Sequence, residues 1–85
     1  METLKKYMKD NIIVQIPKKN KDKLILLSYV TSMFEPGIDY AESEINLILK
    51  SVYKDYALLR RYLIDFRFME RSNDGKSYRI IVQQL

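Results

Sequence analysis

Apolar residues between positions 20 and 34 predict a helix that packs on more than one side. Asn20 is its expected N-cap, and the turn-forming Glu35-Pro36-Gly37 is expected to end it. One face of this helix holds Leu24, Leu27, Ser28, Thr31 and Phe34. The apolar surface is widened by Ile25, Leu26, Tyr29 and Val30, which leaves little polar face in the middle of the helix.

Two further helices are predicted from single apolar stripes with i, i+3, i+4, i+7 spacing. A helix over residues 42–52 begins with the acidic Glu42 and Glu44, which suit the positive end of the helix dipole. The next helix is predicted over residues 55–66, with Asp55 as its N-cap. The stripes are Ile45, Ile48, Leu49 and Val52 in the former helix and Leu59, Tyr62, Leu63 and Phe66 in the latter.

The apolar positions alternate with a period of two after residue 66, which predicts a β-hairpin. Its strands are expected at residues 68–71 and 77–82, with Tyr78, Ile80 and Val82 on one face. Asp74-Gly75 in the connection supplies the positive-φ positions of a hairpin turn. Two other extended segments are predicted, one over the β-branched residues 11–16 and a shorter one over residues 38–41.

The order of these elements is that of a winged helix-turn-helix: helix, short extended piece, helix, tight turn, helix and hairpin. We therefore expect an α+β fold with three helices and a C-terminal two-stranded wing, occupying residues 17–85. Residues 1–16 are expected to form a leader with a short N-terminal strand or a helical segment. In this arrangement the third helix would enter the major groove of DNA.

The composition of the 85 residues excludes several kinds of chemistry. The sequence has no Cys and no His, which rules out disulfides, Cys/His zinc sites and His-based catalytic triads. It also has no nucleophile motif and no Gly-rich phosphate loop, so we expect no enzyme, no cofactor and no metal. The longest apolar run, residues 24–30, is too short to span a bilayer, and residues 1–10 lack the apolar region of a signal peptide. We expect a cytoplasmic protein without a membrane partner.

The positive charge lies at the two ends of the sequence, although the total is only +4. Residues 1–23 have seven Lys against three carboxylates, and residues 50–85 have eight basic residues against four. Residues 24–49 contain four carboxylates and no basic residue. Clustered basic charge suits nucleic acid, but it is also typical of a solvated surface.

Seven residues are candidates for contacts with duplex DNA. They are Lys54, Tyr56, Arg60, Arg61, Arg71, Asn73 and Lys76. Arg60 and Arg61 lead this set because guanidinium groups bind both guanine edges and phosphates. Their alternative role is pairing with Glu42, Glu44, Asp55 or Asp65, which would fix the packing of the second and third helices. Tyr56 is the tyrosine expected to be exposed, and polar residues such as Asn73 are equally typical of any hairpin tip.

The most specific motif of the chain is Leu59-Arg60-Arg61-Tyr62-Leu63-Ile64-Asp65. Further motifs are Ile16-Pro17-Lys18-Lys19, Phe34-Glu35-Pro36-Gly37, Asp55-Tyr56-Ala57 and Asp74-Gly75. Together they make residues 16–79 resemble a bacterial domain family of unknown function, found alone or fused behind ArsR-type helix-turn-helix repressor domains. The resemblance implies a winged-helix-like fold and a link to transcriptional regulation, but no particular biochemical activity.

The chain departs from the pattern of that family at three positions. Ala41 replaces the usual Thr, so the Thr-x-x-Glu capping box with Glu44 is lost. Arg67 replaces a common Gly after the third helix, which removes the residue that favours a left-handed helix end. Arg79 replaces a common Trp in the last strand.

Two functions agree with these patterns. The first is a small DNA-binding protein that acts as a transcriptional regulator or as an accessory domain of one, with residues 55–66 as the recognition helix. The alternative is a protein-interaction or dimerisation module on the same scaffold, in which the edge of the strand at residues 11–16 pairs with another chain. The acidic Glu42 and Glu44 suit this alternative better than they suit DNA.

Overall fold

The computed structural model describes residues 2–81. Within that range the chain is an α+β protein with four helices and two small antiparallel sheets. The elements in chain order are α1 (Glu2–Tyr7), β1 (Met8–Lys9), β2 (Ile12–Ile13), α2 (Asn20–Thr31), β3 (Tyr40–Ala41), α3 (Glu42–Lys50), α4 (Tyr56–Asp65), β4 (Met69–Arg71) and β5 (Ser77–Ile80). Val82, which was expected on the buried face of the last strand, lies outside the described residues.

The helix predicted over residues 20–34 is α2, and it differs from the prediction at both ends. Asn20 is its first helical residue, so the prediction of Asn20 as N-cap is wrong. The N-cap is Lys19, which has extended backbone angles and makes no capping hydrogen bond because a lysine side chain has no acceptor. Beyond Thr31 the chain continues in tighter turns, in which the Phe34 N–H donates to the Thr31 carbonyl (3.1 Å).

The hydrophobic core lies between α2, α3, α4 and the larger sheet. Its buried side chains are Ile13, Leu26, Leu27, Val30, Phe34, Ile45, Leu49, Val52, Leu59, Leu63, Phe68, Met69, Tyr78 and Ile80. The two predicted stripes are confirmed at five of these positions, Ile45, Leu49, Val52, Leu59 and Leu63, although Val52 lies just beyond the end of α3. On α2, Leu27 is buried as predicted, but Leu24 is 42% exposed and Leu26 and Val30 are fully buried, so the buried face is shifted toward the residues that widen the apolar surface.

The larger sheet has the strand order β3-β5-β4 and is antiparallel throughout. β3 confirms the extended segment predicted at residues 38–41, and β4 with β5 confirms the hairpin. Tyr40 and Arg71 both lie opposite Tyr78, one on each neighbouring strand. Because residues directly opposite one another in a sheet share a face, Arg71 projects to the same side of the sheet as the buried Tyr78.

The hairpin turn is held by one glycine and one carboxylate. Gly75 has a positive φ of 73°, whereas Asp74 does not, so the prediction of two positive-φ positions is wrong for Asp74. The Asp74 carboxylate instead accepts hydrogen bonds from the Ser72 hydroxyl (2.5 Å) and the Lys76 N–H (3.0 Å). These bonds favour the charged form, and with the Ser72 bond contributing most they lower the pKa of Asp74.

The described part of the leader contains one helix and two short strands. β1 and β2 form a second hairpin whose two connecting residues, Asp10 and Asn11, have φ of 53° and 65°. The strand predicted over residues 11–16 is confirmed only at Ile12–Ile13. Its outer edge is occupied within the chain, because the Ile13 N–H donates to the Val52 carbonyl at 2.7 Å. The leader is therefore attached to the core through the buried Ile13.

The first turn of α3 keeps half of a capping box. Ala41 is the N-cap, and its methyl side chain cannot accept a hydrogen bond. The Glu44 carboxylate nevertheless accepts from the Ala41 backbone N–H at 2.8 Å. The loss of the capping Thr therefore removes one of the two reciprocal bonds and leaves the other.

α4 ends in the left-handed conformation that glycine normally provides, although Arg67 occupies that position with φ 64°. The Phe68 N–H donates to the Leu63 carbonyl (2.9 Å) and the Arg67 N–H to the Ile64 carbonyl (3.1 Å). These are the two hydrogen bonds of a Schellman motif. Their formation, together with burial of Phe68, holds Arg67 in a conformation that costs a non-glycine residue free energy.

The Arg67→Gly variant should therefore be more stable than the Arg67→Ala variant by about 1 kcal/mol. Ala has the cost of placing a Cβ in the left-handed region, and this cost is partly offset because Gly is more flexible in the unfolded chain. Both variants remove the arginine side chain, so their difference isolates the backbone conformation. Urea unfolding followed by circular dichroism measures it. Equal stability of the two variants would contradict the strain assigned to Arg67.

Candidate functional site

α4 presents a narrow face to solvent. Its N-terminus is capped by Asp55 as predicted, with the carboxylate accepting from the Leu58 N–H at 3.3 Å. The opposite side of the helix from the buried leucines carries Ala57, Arg61 and Asp65, all exposed. Because these residues are four apart, they form one ridge along the helix.

Arg60 turns toward the protein and not toward solvent. Its Nη1 donates a hydrogen bond to the Asn46 side-chain oxygen on α3 and lies 3.8 Å from Glu42 Oε1. The guanidinium carbon is 5.7 Å from the centre of the Tyr78 ring, and the side chain is 21% exposed. Arg60 thus connects α4 to both α3 and β5. This is the packing role that the sequence offered for Arg60 as the alternative to a DNA contact.

Tyr78 is the second member of this network. Its hydroxyl donates to Glu42 Oε1 at 2.9 Å across the interface between β5 and α3. Burial of the ring and the hydrogen bond to Glu42 raise the pKa of Tyr78, while the positive charges of Arg60 and Arg71 act in the opposite direction. The phenol therefore stays protonated and remains a donor, and both guanidinium groups lie close enough to influence it.

A shallow cleft of about 320 Å³ lies between α4 and the β4–β5 hairpin. It is lined by Glu42, Ala57, Arg60, Arg61, Ile64, Asp65, Arg71 and Tyr78. Within residues 2–81, the side chains of Arg61 and Arg71 form no ion pair or hydrogen bond. The cleft is therefore lined by two arginines without an ion-pair partner among the described residues, by the paired Arg60, and by the carboxylates Glu42 and Asp65.

The seven candidate residues fall into three groups. Arg60, Arg61 and Arg71 line the cleft. Lys54 before α4, and Asn73 and Lys76 at the hairpin tip, are exposed at positions outside it. Tyr56, the tyrosine expected to be exposed, is half-buried and packs against the core.

Two important residues of this site were not candidates in the sequence. The sequence predicts Tyr78 only as a core side chain and indicates no role for Asn46. The usable signal was the spacing of Glu42 and Asn46, which are four apart and so lie on one face of α3. Which partner that face meets depends on the tertiary fold, and the partner is Arg60.

The comparisons with known proteins identify the family of this chain. The family model described as "Uncharacterized protein conserved in bacteria (DUF2087)" matches residues 12–80. The chain therefore belongs to that family. No curated protein and no solved structure matches it.

Among residues 2–81, no helix has the length and apolar character needed to cross a membrane. The same residues contain no group of three or more His, Cys, Asp or Glu side chains placed to hold a metal ion.

The two neighbouring arginines of α4 should differ in their effect on stability. Arg60→Ala should lower the free energy of unfolding by about 1.5 kcal/mol, because it leaves Asn46 and Glu42 without their partner. Arg61→Ala, at an exposed position, should change it by less than about 0.5 kcal/mol. Urea unfolding of both variants tests this difference, and similar losses in the two would argue against the assigned network.

Proposed function

We propose that this member of the DUF2087 family is a winged helix-turn-helix protein that binds duplex DNA, as a transcriptional regulator or an accessory domain of one. The order α2, β3, α3, α4, β4, β5 and the strand order β3-β5-β4 support this scaffold. In a helix-turn-helix the second helix of the pair is the recognition helix, and here α4 corresponds to it. Residues 51–55 are the turn between α3 and α4.

The observation that carries the proposal is the uncompensated Arg61 on the exposed ridge of α4. Within the described part of the chain no carboxylate pairs with this side chain, so binding a phosphate or a guanine breaks no internal ion pair. The preceding ridge residue is Ala57, whose short side chain permits close approach of the helix to a groove. Arg61 is thus the leading contact.

The other candidates take different roles in this proposal. Lys54, at the start of α4, and the hairpin-tip residues Asn73 and Lys76 are exposed and contact the DNA backbone. Arg60 is a positioning residue, because its contacts with Asn46 and Glu42 set the orientation of α4. Tyr56 packs on the core and supports the N-terminal turn of the helix.

A protein-interaction module is the second candidate, and one observation on α3 favours it. Leu47 is 73% exposed, and the first turn of the same helix carries the exposed Glu42 and Glu44. An apolar residue near carboxylates suits a protein surface better than it suits phosphate. Size-exclusion chromatography with light scattering distinguishes the two: a strict monomer that binds DNA argues against the module.

DNA binding is tested by fluorescence anisotropy of a labelled duplex over a range of salt concentrations. We expect affinity to fall steeply with salt, since bound Lys and Arg release counterions from the phosphates. Arg61→Ala should weaken binding by about 1 kcal/mol, or roughly fivefold. Lys5→Ala removes the same charge from the exposed surface of α1 and should bind as the wild type does.

Two results would reject DNA binding. One is the absence of any salt-sensitive binding of the wild type at low ionic strength. The other is an Arg61→Ala variant with wild-type affinity, because the proposed contact would then contribute nothing.

A further inference from the structure

We propose that the cleft between α4 and the β4–β5 hairpin binds one phosphate group between the guanidinium groups of Arg61 and Arg71. The inference deepens the proposed function and rests on it for the favoured source of this phosphate, a backbone phosphodiester of DNA. The same chemistry would accept the phosphate group of a free small molecule. Arg60, paired with Asn46, lines the same cleft.

The two arginines reach the cleft from different elements. Arg61 belongs to the exposed ridge of α4, whereas Arg71 is at the end of β4. Arg71 lies on the side of the sheet that meets α4, because it is opposite Tyr78, whose ring centre is 5.7 Å from the guanidinium carbon of Arg60 on α4. A phosphate placed here would accept charge-assisted hydrogen bonds from two planar guanidinium groups, each of which can donate two parallel N–H bonds to phosphate oxygens.

The hairpin turn determines where the Arg71 guanidinium lies. A Cβ added at Gly75 would come within 3.0 Å of Arg71 Cζ and 3.1 Å of its Nε, both closer than ordinary contacts. The guanidinium therefore lies directly against the glycine, and a side chain at position 75 would displace it. Gly75 serves the site in this way in addition to its positive φ.

The charges around the cleft separate into a satisfied set and an unsatisfied set. Glu42 accepts a hydrogen bond from Tyr78 and lies 3.8 Å from Arg60, so its charge is already balanced within the fold. Asp65 is exposed at the end of the α4 ridge and also lines the cleft, so its charge opposes an anion at that end. Arg61 and Arg71 are left uncompensated within residues 2–81, and they are the groups that gain most from an anion.

The winged-helix arrangement gives a geometric reason why a backbone phosphate would reach this cleft. A recognition helix enters the major groove, and a wing contacts the backbone or the adjacent minor groove. One sugar-phosphate strand separates two adjacent grooves of a duplex. That strand has to cross the space between α4 and the hairpin, which is the cleft that Arg61 and Arg71 line.

The test compares the wild-type chain with Arg71→Ala and Lys5→Ala, which lose the same charge. The first measurement is the thermal midpoint in inorganic phosphate and in sodium chloride of equal ionic strength. A free phosphate at its Kd should raise the midpoint of the wild type and Lys5→Ala by roughly 2 °C, with no rise in Arg71→Ala. The second measurement is the salt dependence of duplex binding, whose slope should be smaller by about one in Arg71→Ala alone.

The results identify the source of the phosphate and separate this inference from DNA binding itself. Dependence of both measurements on Arg71, or of the salt slope alone, supports the DNA backbone as the source of the phosphate. A phosphate-specific midpoint shift lost in Arg71→Ala, without a change in the salt slope, supports a free ligand. If the wild type binds duplex but neither measurement depends on Arg71, the cleft site is rejected and DNA binding stands. If phosphate stabilises the chain through Arg71 but no duplex binds, the site stands and DNA binding is rejected.

Discussion

The guanidinium of Arg60 joins three elements of the fold, and the exposed surface of α4 depends on it. It donates to Asn46 on α3 and lies 5.7 Å from the ring of Tyr78 on β5, whose hydroxyl reaches back to Glu42 on α3. Neighbouring helical residues project about 100° apart. With Arg60 turned inward, Arg61 projects outward, so one arginine of the pair packs against α3 and β5 while the other is exposed.

The parts of the fold that sequence predicts well are those set by burial. The stripes of α3 and α4 are confirmed because the side of a helix that meets the core carries apolar residues with a period of about 3.6. Helix ends depend instead on a few local bonds. Lys19 precedes α2 without a capping bond, and Arg67 adopts a conformation typical of glycine because its neighbours form the Schellman bonds and bury Phe68. Neither feature has a signal in the residue types themselves.

The candidate site was only partly predictable for a related reason. Basic residues on the helix and hairpin are visible in the sequence, but the difference between Arg60 and Arg61 is tertiary, because it depends on the packing of Asn46 and Glu42 against α4. The approach of Arg71 to α4 likewise follows from the strand register opposite Tyr78. Pairing of residues distant in sequence determines which charges are neutralised, and composition alone does not contain that information.

The central claim is that DNA meets the protein on the face shared by α4 and the β4–β5 hairpin. Titrating a ¹⁵N-labelled chain with a short duplex and following amide chemical shifts locates that face directly. We predict salt-sensitive shifts concentrated at residues 54–61 and 71–76, with α1 and the β1–β2 hairpin unchanged. Shifts confined to the leader or to the outer face of α3 around Leu47, or no shifts at low salt, would contradict the account.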